Sequence, residues 1–324
     1  MGKVGRPTNW NRMAISFIDE LHSLGYSRSW TRKMKNVLIV DCPSFFKVLH
    51  PSEVNREQYV HYVAYLVESH ENADYRRQKL SCLNRFLSRY GNYVYQSVPL
   101  HWEKWEPKNV YWLSWEQVGY IWSTPMNPVE KAMIWMESRL GCRRIEVLRQ
   151  RFDEINLALG TIYIRGKGGS GHRGRRLALP PSGYEFIPLF NEFREKEIQR
   201  FLDEGGDPDD LPKEWIIYFT RSRPEILTTL KPTTADNLLK GISDRCGIQF
   251  THHVLRRSFC RHLFDIGVPS EKARKISGHS SVKMFERYIG ITDDDIKEAM
   301  MMSEAEELTI QQEINNKRGY INER

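Results

Sequence analysis

Apolar residues recur at helical spacing in three places within the first third of the chain. Met13, Phe17, Leu21 and Leu24 mark one helix face that stops at Gly25, Tyr59, Tyr62, Val63 and Leu66 repeat the pattern after Asn55, and Leu80, Leu83 and Leu87 do so again. Between about 92 and 112 the periodicity breaks around Pro99, Pro107 and several aromatic residues, and Ser114 with Gln117 then forms a capping box that opens a new helix. Asn127 as cap with Pro128 in the first turn starts another helix, and a further one follows near 143–151. Two stretches, 161–165 and 175–179, read as strands on either side of a glycine-rich loop that contains Lys167 and Arg173. The remainder reads as helix at about 184–203, 234–246, 252–266, 271–277, 281–289 and 293–308. The pattern predicts a mainly α protein with a small β-hairpin and two domains: a helical domain over 1–100, a linker over 101–112, a second domain over 113–292, and an acidic helix and tail over 293–324.

A chain of 324 residues has room for two such domains, and 40% hydrophobic with 27% charged residues excludes a disordered or fibrous protein. The net charge of +7 is unevenly spread: residues 1–100 carry 14 Lys and Arg against 8 Asp and Glu, and the rest is nearly balanced. Arg28, Arg32, Lys33, Lys35, Arg76, Arg77, Lys79 and Arg85 lie among the N-terminal helices, as a clamp on a phosphate backbone requires. Solvated helix faces account for the same charges equally well. Acidic residues from Asp293 to Glu313 turn the C-terminal end away from DNA. Five cysteines without paired spacing suit a reducing compartment. With no apolar run of membrane-spanning or signal-peptide length, the expectation is a soluble, cytoplasmic protein with no membrane partner.

Four motifs carry candidate chemistry, and each has an ordinary alternative. The loop Gly166 to Gly171 matches a dinucleotide-binding spacing, but a basic strand follows it where a helix is required, so it reads as a hairpin tip carrying Lys167 or as a plain surface loop. Arg143 stands at a helix start with Glu146 three residues on, placed to orient its guanidinium or simply to form a surface ion pair. His253 and Arg256 share a helix face distinct from the apolar stripe Leu255, Phe259, Leu263 and Ile266, so both can donate to one phosphate. The spacing of His252, His253, Cys260 and His262 fits no familiar metal site. Finally, Gly278-His279 precedes a short helix bearing Tyr288, whose ring is also a plausible core aromatic.

Taken together and in this order, G-x-R-x-x-E at Arg143, a hairpin lysine at Lys167, H-x-x-R at His253 and Arg256, Gly-His at His279 and a tyrosine nine residues later resemble the tyrosine recombinases. The resemblance covers roughly 110–295. It implies a helical DNA core-binding domain followed by a recombinase catalytic domain, in which Arg143 and Arg256 clamp the scissile phosphate and Lys167 is the general acid. His253 and His279 then assist proton transfer, Tyr288 is the nucleophile, and Glu146 supports Arg143. Arg173, Arg175 and Arg257 are further candidate DNA contacts. Arg257 stands where many members have histidine, and Ser277 where leucine is usual. The implied partners are double-stranded DNA attachment sites and three further copies of the chain in a tetramer on DNA, with a monomer or dimer in solution. No cofactor and no metal enter the scheme. The C-terminal helix packs either on a neighbouring protomer or back on its own domain. A type IB topoisomerase or telomere resolvase would use the same residues, and a DNA-binding protein with a dead site is the alternative from another class.

Overall fold

The computed structural model describes residues 9–48, 50–69, 72–100, 110–166, 174–220 and 223–302. The chain divides into two compact units between Glu106 and Pro107. The first contains α1 (Asn9–Ser23), α2 (Arg28–Lys35), α3 (Cys42–Phe45), α4 (Arg56–Ser69) and α5 (Ala73–Arg89), with a π-helical stretch, Asn36–Asp41, between α2 and α3. Aromatic rings fill its core. Trp10 stacks on Phe46 at 5.9 Å and meets Phe86 edge-on at 5.1 Å, while its indole N–H donates to the Leu38 carbonyl at 2.7 Å.

Two basic residues expected at a DNA surface are turned inward here. Arg76 and Lys79 are each only 6% exposed, and the Lys79 ammonium lies 2.6 Å from Asp41. Arg76 sits four residues before Leu80 and Lys79 four before Leu83, so helical geometry places them on the buried stripe of α5. By contrast Arg28, Arg32, Lys33, Lys35 and Arg85 are exposed, Arg85 lies over the Trp30 ring at 5.4 Å, and Arg77 is half-buried beside Asp74.

The second unit runs α6 (Trp115–Ser123), α7 (Pro128–Arg139), α8 (Arg144–Leu148), β1 (Ile155–Asn156), β2 (Thr161–Ile164), β3 (Arg175–Ala178), α9 (Pro181–Asp203), β4 (Ile217–Thr220), β5 (Arg223–Thr229), α10 (Pro232–Cys246), α11 (His252–Asp265), α12 (Ser270–Ser277) and α13 (Val282–Ile289). A last helix spans 293–302. The unit is mainly α with small antiparallel sheets, and no helix among the described residues is long and apolar enough to cross a membrane.

Its core is organised by α7. Ala132, Met133, Ile134, Trp135 and Met136 are all buried, as are Glu137 and Ser138, so this helix is enclosed on every side. The capping box between Asn127 and Glu130, with bonds of 2.9 and 3.0 Å, fixes where it begins. At the other end Leu140 and Gly141 break the helix and start the loop that leads to Arg143.

Sheet register decides which way the hairpin arginines face. In the β1-β2-β3 sheet Ile164 pairs with Arg175 and Tyr163 with Arg176. Ile162 and Ile164 are wholly buried, and directly paired residues share a face, so Arg175 points into the domain and Arg176 to solvent.

The stretch between α9 and α10, for which the sequence pattern predicts no element, holds β4 and β5, a separate hairpin packed on α9. The apolar run Trp215, Ile216 and Ile217 is too short to show any period, which hid the strand. Helix α9 also begins earlier than expected, at Pro181, and carries Pro188 within it.

Gly141 has a backbone that only glycine tolerates well. Its φ is +59°, and an added Cβ would lie 2.3 Å from Cδ1 of Phe259, a buried ring on α11. Gly141→Ala is expected to lower stability by about 2 kcal/mol or more in a thermal or urea melt. Gly119→Ala, on the exposed face of α6 with nothing within 4 Å, is the control and gains up to about 1 kcal/mol.

Candidate active site

The centre of the site is a buried carboxylate. Glu146 is 1% exposed and sits in the first turn of α8, where its Oε2 accepts the backbone N–H of Arg143 at 2.9 Å. Its two oxygens also receive Nη1 of Arg143 at 2.8 Å and both Nη groups of Arg175 at 3.1 and 3.0 Å. Arg256 approaches from α11, with Nη1 3.8 Å from Oε2. Burial alone would raise the Glu146 pKa, but the bonds from Arg175, Arg143 and the nearby Arg256 hold it below the usual carboxylate range. Three guanidinium charges against one carboxylate leave a surplus of two positive charges in a mostly enclosed space.

Each arginine is held by backbone carbonyls as well. Arg143 Nη2 donates to Gly278 at 3.1 Å and Arg175 Nε to Ile276 at 2.7 Å. Arg256, 1% exposed, donates to Gly141 through Nη1 and to Ser277 through Nη2 at 2.6 Å. The three side chains thus tie the loop after α7, strand β3 and helix α11 to the turn between α12 and α13. That turn needs its glycine: Gly278 has φ +72°, and a Cβ there would meet Arg175 Nη1 at 2.9 Å.

The turn also fixes His279. Ser277, wholly buried, has its hydroxyl 2.8 Å from the Ala273 carbonyl and 2.7 Å from His279 Nδ1. A guanidinium can only donate, so His279 Nε2 accepts from Arg256 Nη2 at 3.4 Å and a neutral ring carries its proton on Nδ1. Burial first, and then the charges of Arg256, Arg143 and Arg175, lower the His279 pKa to about 3. The ring is neutral at physiological pH.

Tyr288 lies next to it. Its ring centroid is 4.8 Å from that of His279, the Arg256 and Arg257 guanidiniums lie 5.8 and 5.1 Å from it, and its hydroxyl donates to the His253 carbonyl at 3.2 Å. Burial raises the phenol's pKa and Arg256 opposes the rise. His253 itself is exposed, with its pKa lowered by partial burial and then by Arg256 and Arg257. Arg257, expected as a DNA contact, is half-buried and donates to the Tyr111 carbonyl at 3.1 Å while covering the Tyr288 ring.

A second polar system adjoins the first. His252, at the start of α11, has Nδ1 2.6 Å from Glu137, which is fully buried on α7. On its other side lies Asp236 of α10, whose two oxygens receive Arg144 Nη1 at 2.5 and 2.6 Å. Arg143, Arg144, Asp236, Thr251, His252, His253 and Arg256 together line a cavity of about 210 Å³.

The structure therefore gathers Arg143, Glu146, His253, Arg256, His279 and Tyr288, while Lys167 and Arg173 lie outside the described residues. Arg175, read from the sequence as a DNA contact, is instead a partner of Glu146; its alternation with Arg176 on β3 was the available signal. Nothing in the spacing pointed to Glu137, whose partner is 115 residues away in the chain.

Residues 117–294 match the model of the phage integrase family. A tyrosine recombinase XerC of Oceanobacillus iheyensis is 27% identical over 300 residues, covering 89% of this chain and 86% of that one. A XerA of Pyrococcus furiosus is 29% identical over 160 residues, 49% of each chain. Among solved structures, the XerH recombinase in a post-cleavage complex with a palindromic difH substrate has a TM-score of 0.62 at 14% identity, covering 92% of this chain and 95% of that one. Lambda integrase residues 75–356, a dimer bound to a COC′ core site, has a TM-score of 0.61 at 14% identity over 86% and 94%. The structures share its fold, and with the family match spanning more than half of its length, the chain belongs to the phage integrase family, the tyrosine recombinases that cut and rejoin DNA at specific sites.

Proposed function

We propose that Tyr288 attacks the scissile phosphate and becomes joined to the 3′ end of the cut strand. The observation that carries this is the meeting of Arg143, Arg175 and Arg256 on one buried carboxylate, beside the tyrosine ring. A phosphodiester brings one negative charge to a cluster with a surplus of two positive charges, and the five-coordinate transition state brings a second. Charge balance is then best at the top of the barrier, which is where stabilisation accelerates the reaction. The N–H groups of Arg143 and Arg256 that are not bound to Glu146 or to carbonyls grip the non-bridging oxygens.

In the cleavage step the Tyr288 oxygen forms a bond to phosphorus and the bond to the 5′ oxygen breaks. The phenol proton passes to His253 or a water, and Lys167 protonates the leaving oxygen. A neutral His253 is able to accept that proton, consistent with its lowered pKa. His279 packs against the Tyr288 ring at 4.8 Å and orients it. The phosphotyrosyl bond preserves the energy of the phosphodiester, so a new 5′ hydroxyl reverses the step without ATP.

The substrate is duplex DNA carrying an attachment site, and the working assembly is a homotetramer on that DNA. The helix over 293–302 supports the assembly: Arg261 pairs with Asp295 in its first turn, at 2.9 Å for Nη1, and holds that turn to its own domain. Beyond it Ile296 and Met300, one turn apart on the same side of the helix, are 57% and 64% exposed, an apolar pair suited to a neighbouring copy.

A nicked suicide duplex carrying the site should give a covalent adduct that survives SDS with the native chain and none with Tyr288→Phe; an adduct that persists in the variant moves the nucleophile to another residue. Arg143→Ala and Arg256→Ala should each slow single-turnover cleavage by about 100-fold or more, and lysine at either place should not restore it.

His279 makes a prediction about pH. Its pKa is about 3 in the folded chain and 6.5 in an ordinary environment, so the unfolded chain binds an extra proton between these values. Stability from this residue is thus complete above about pH 6.5 and falls as the solution is acidified towards the folded value, by about 2 kcal/mol near pH 5. Without DNA, His279→Asn should flatten the acid limb of the stability profile in that window, whereas an unchanged acid limb would mean that this imidazole is not held neutral.

A further inference from the structure

The polar system around His252 has no role in the steps above, yet it is built like a receptor for an anion. His252 is 8% exposed, and its Nδ1 is engaged by the fully buried Glu137. Burial pushes the Glu137 pKa up, and with its carboxyl donating to Nδ1 the other ring nitrogen of this cavity-lining histidine carries the N–H. That Nε2 has no hydrogen-bond partner: Asp236 Oδ1 is 3.3 Å away but outside hydrogen-bond geometry. A buried ring nitrogen left in this state is costly, and an incoming oxygen relieves it. The same cavity is lined by Arg144, by the Thr251 residue that caps α11, and by Arg143 and Arg256 from the scissile-phosphate cluster.

We propose that this cavity takes a second DNA phosphate, the one flanking the scissile phosphodiester, with Arg144 and His252 as its donors and the Asp236 carboxylate occupying Arg144 until DNA arrives. Arg143 and Arg144 are consecutive residues at the start of α8 with different partners, Gly278 for one and Asp236 for the other, so each is free to serve a separate phosphate. The Arg144 and Asp236 side chains are 42% and 50% exposed, so their pair is open to water and exchanges for a phosphate at little cost. Glu137 acts through His252 as a positioning residue. The inference rests on the recombinase reading, because it takes the scissile phosphate to lie at Arg143 and Arg256.

The test is a double-mutant cycle on DNA binding, using the full chain and a short duplex carrying the crossover site, followed by fluorescence anisotropy over a range of salt concentrations. Arg144→Ala should weaken binding by about fivefold or more and shrink the slope of log K against log salt by about one phosphate contact. Asp236→Asn should tighten binding by about threefold in the native background and have no effect once Arg144 is alanine. Both side chains are at the surface, so both variants keep the fold. If Asp236→Asn tightens binding equally in both backgrounds, the effect is long-range charge alone and the proposal is overturned; an unchanged salt slope in Arg144→Ala overturns it as well. Covalent adduct formation by the native chain on a nicked form of the same duplex reports separately on the recombinase reading, whichever way the cycle closes.

Discussion

The catalytic unit depends on one ion cluster: a carboxylate, Glu146, enclosed by the guanidiniums of Arg143, Arg175 and Arg256. Burying a carboxylate is expensive unless it is fully paired, and burying an arginine equally so. Each group here makes the others tolerable. The cluster is nevertheless unbalanced, because one negative charge faces three positive ones and His279 is kept neutral by its burial and then by the same field. Stability alone does not ask for a surplus of this kind, and a phosphate answers it. The imbalance is thus where the energetics of the fold and the chemistry of the site become one matter.

The cluster also explains why elements far apart in sequence hold together. Arg175 spans from β3 to the Ile276 carbonyl, Arg143 from α8 to Gly278, and Arg256 from α11 to both Gly141 and Ser277. The hairpin strand, the loop after α7 and the turn before α13 are therefore positioned by the same side chains that would meet the substrate. Ser277 shows how finely this reaches: its hydroxyl lies between the Ala273 carbonyl and His279 Nδ1, while the second ring nitrogen accepts from Arg256. Behind the cluster, the enclosed helix α7 supplies rigidity and carries Glu137 to the underside of His252.

Much of this was legible in the sequence, for reasons that can be stated residue by residue. The helical periods were strong at α1, α5 and α11, and the caps at Ser114 and Asn127 are local signals that tertiary packing does not override. The ordered motifs from Arg143 to Tyr288 pointed to the family because their order and spacing carry more information than any one of them. What escaped notice was set by long-range geometry. Arg175 looks like its neighbours Arg173 and Arg176 until the register with Ile164 turns it inward. Arg76 and Lys79 are basic, but their helix phase places them beside Leu80 and Leu83, where burial follows position more than polarity. The β4-β5 hairpin and the Glu137-His252 pair have no local period or motif to announce them.

The central claim is that Glu146 organises the three arginines around a phosphate, and its charge can be removed with little change in shape. The measurement is single-turnover cleavage of a nicked substrate by Glu146→Gln, made well below the variant's melting temperature and with DNA affinity determined alongside. The account predicts cleavage slowed by about tenfold or more with affinity close to that of the native chain, because the guanidiniums still attract DNA but no longer hold their positions. Cleavage at the native rate by the glutamine variant would contradict it.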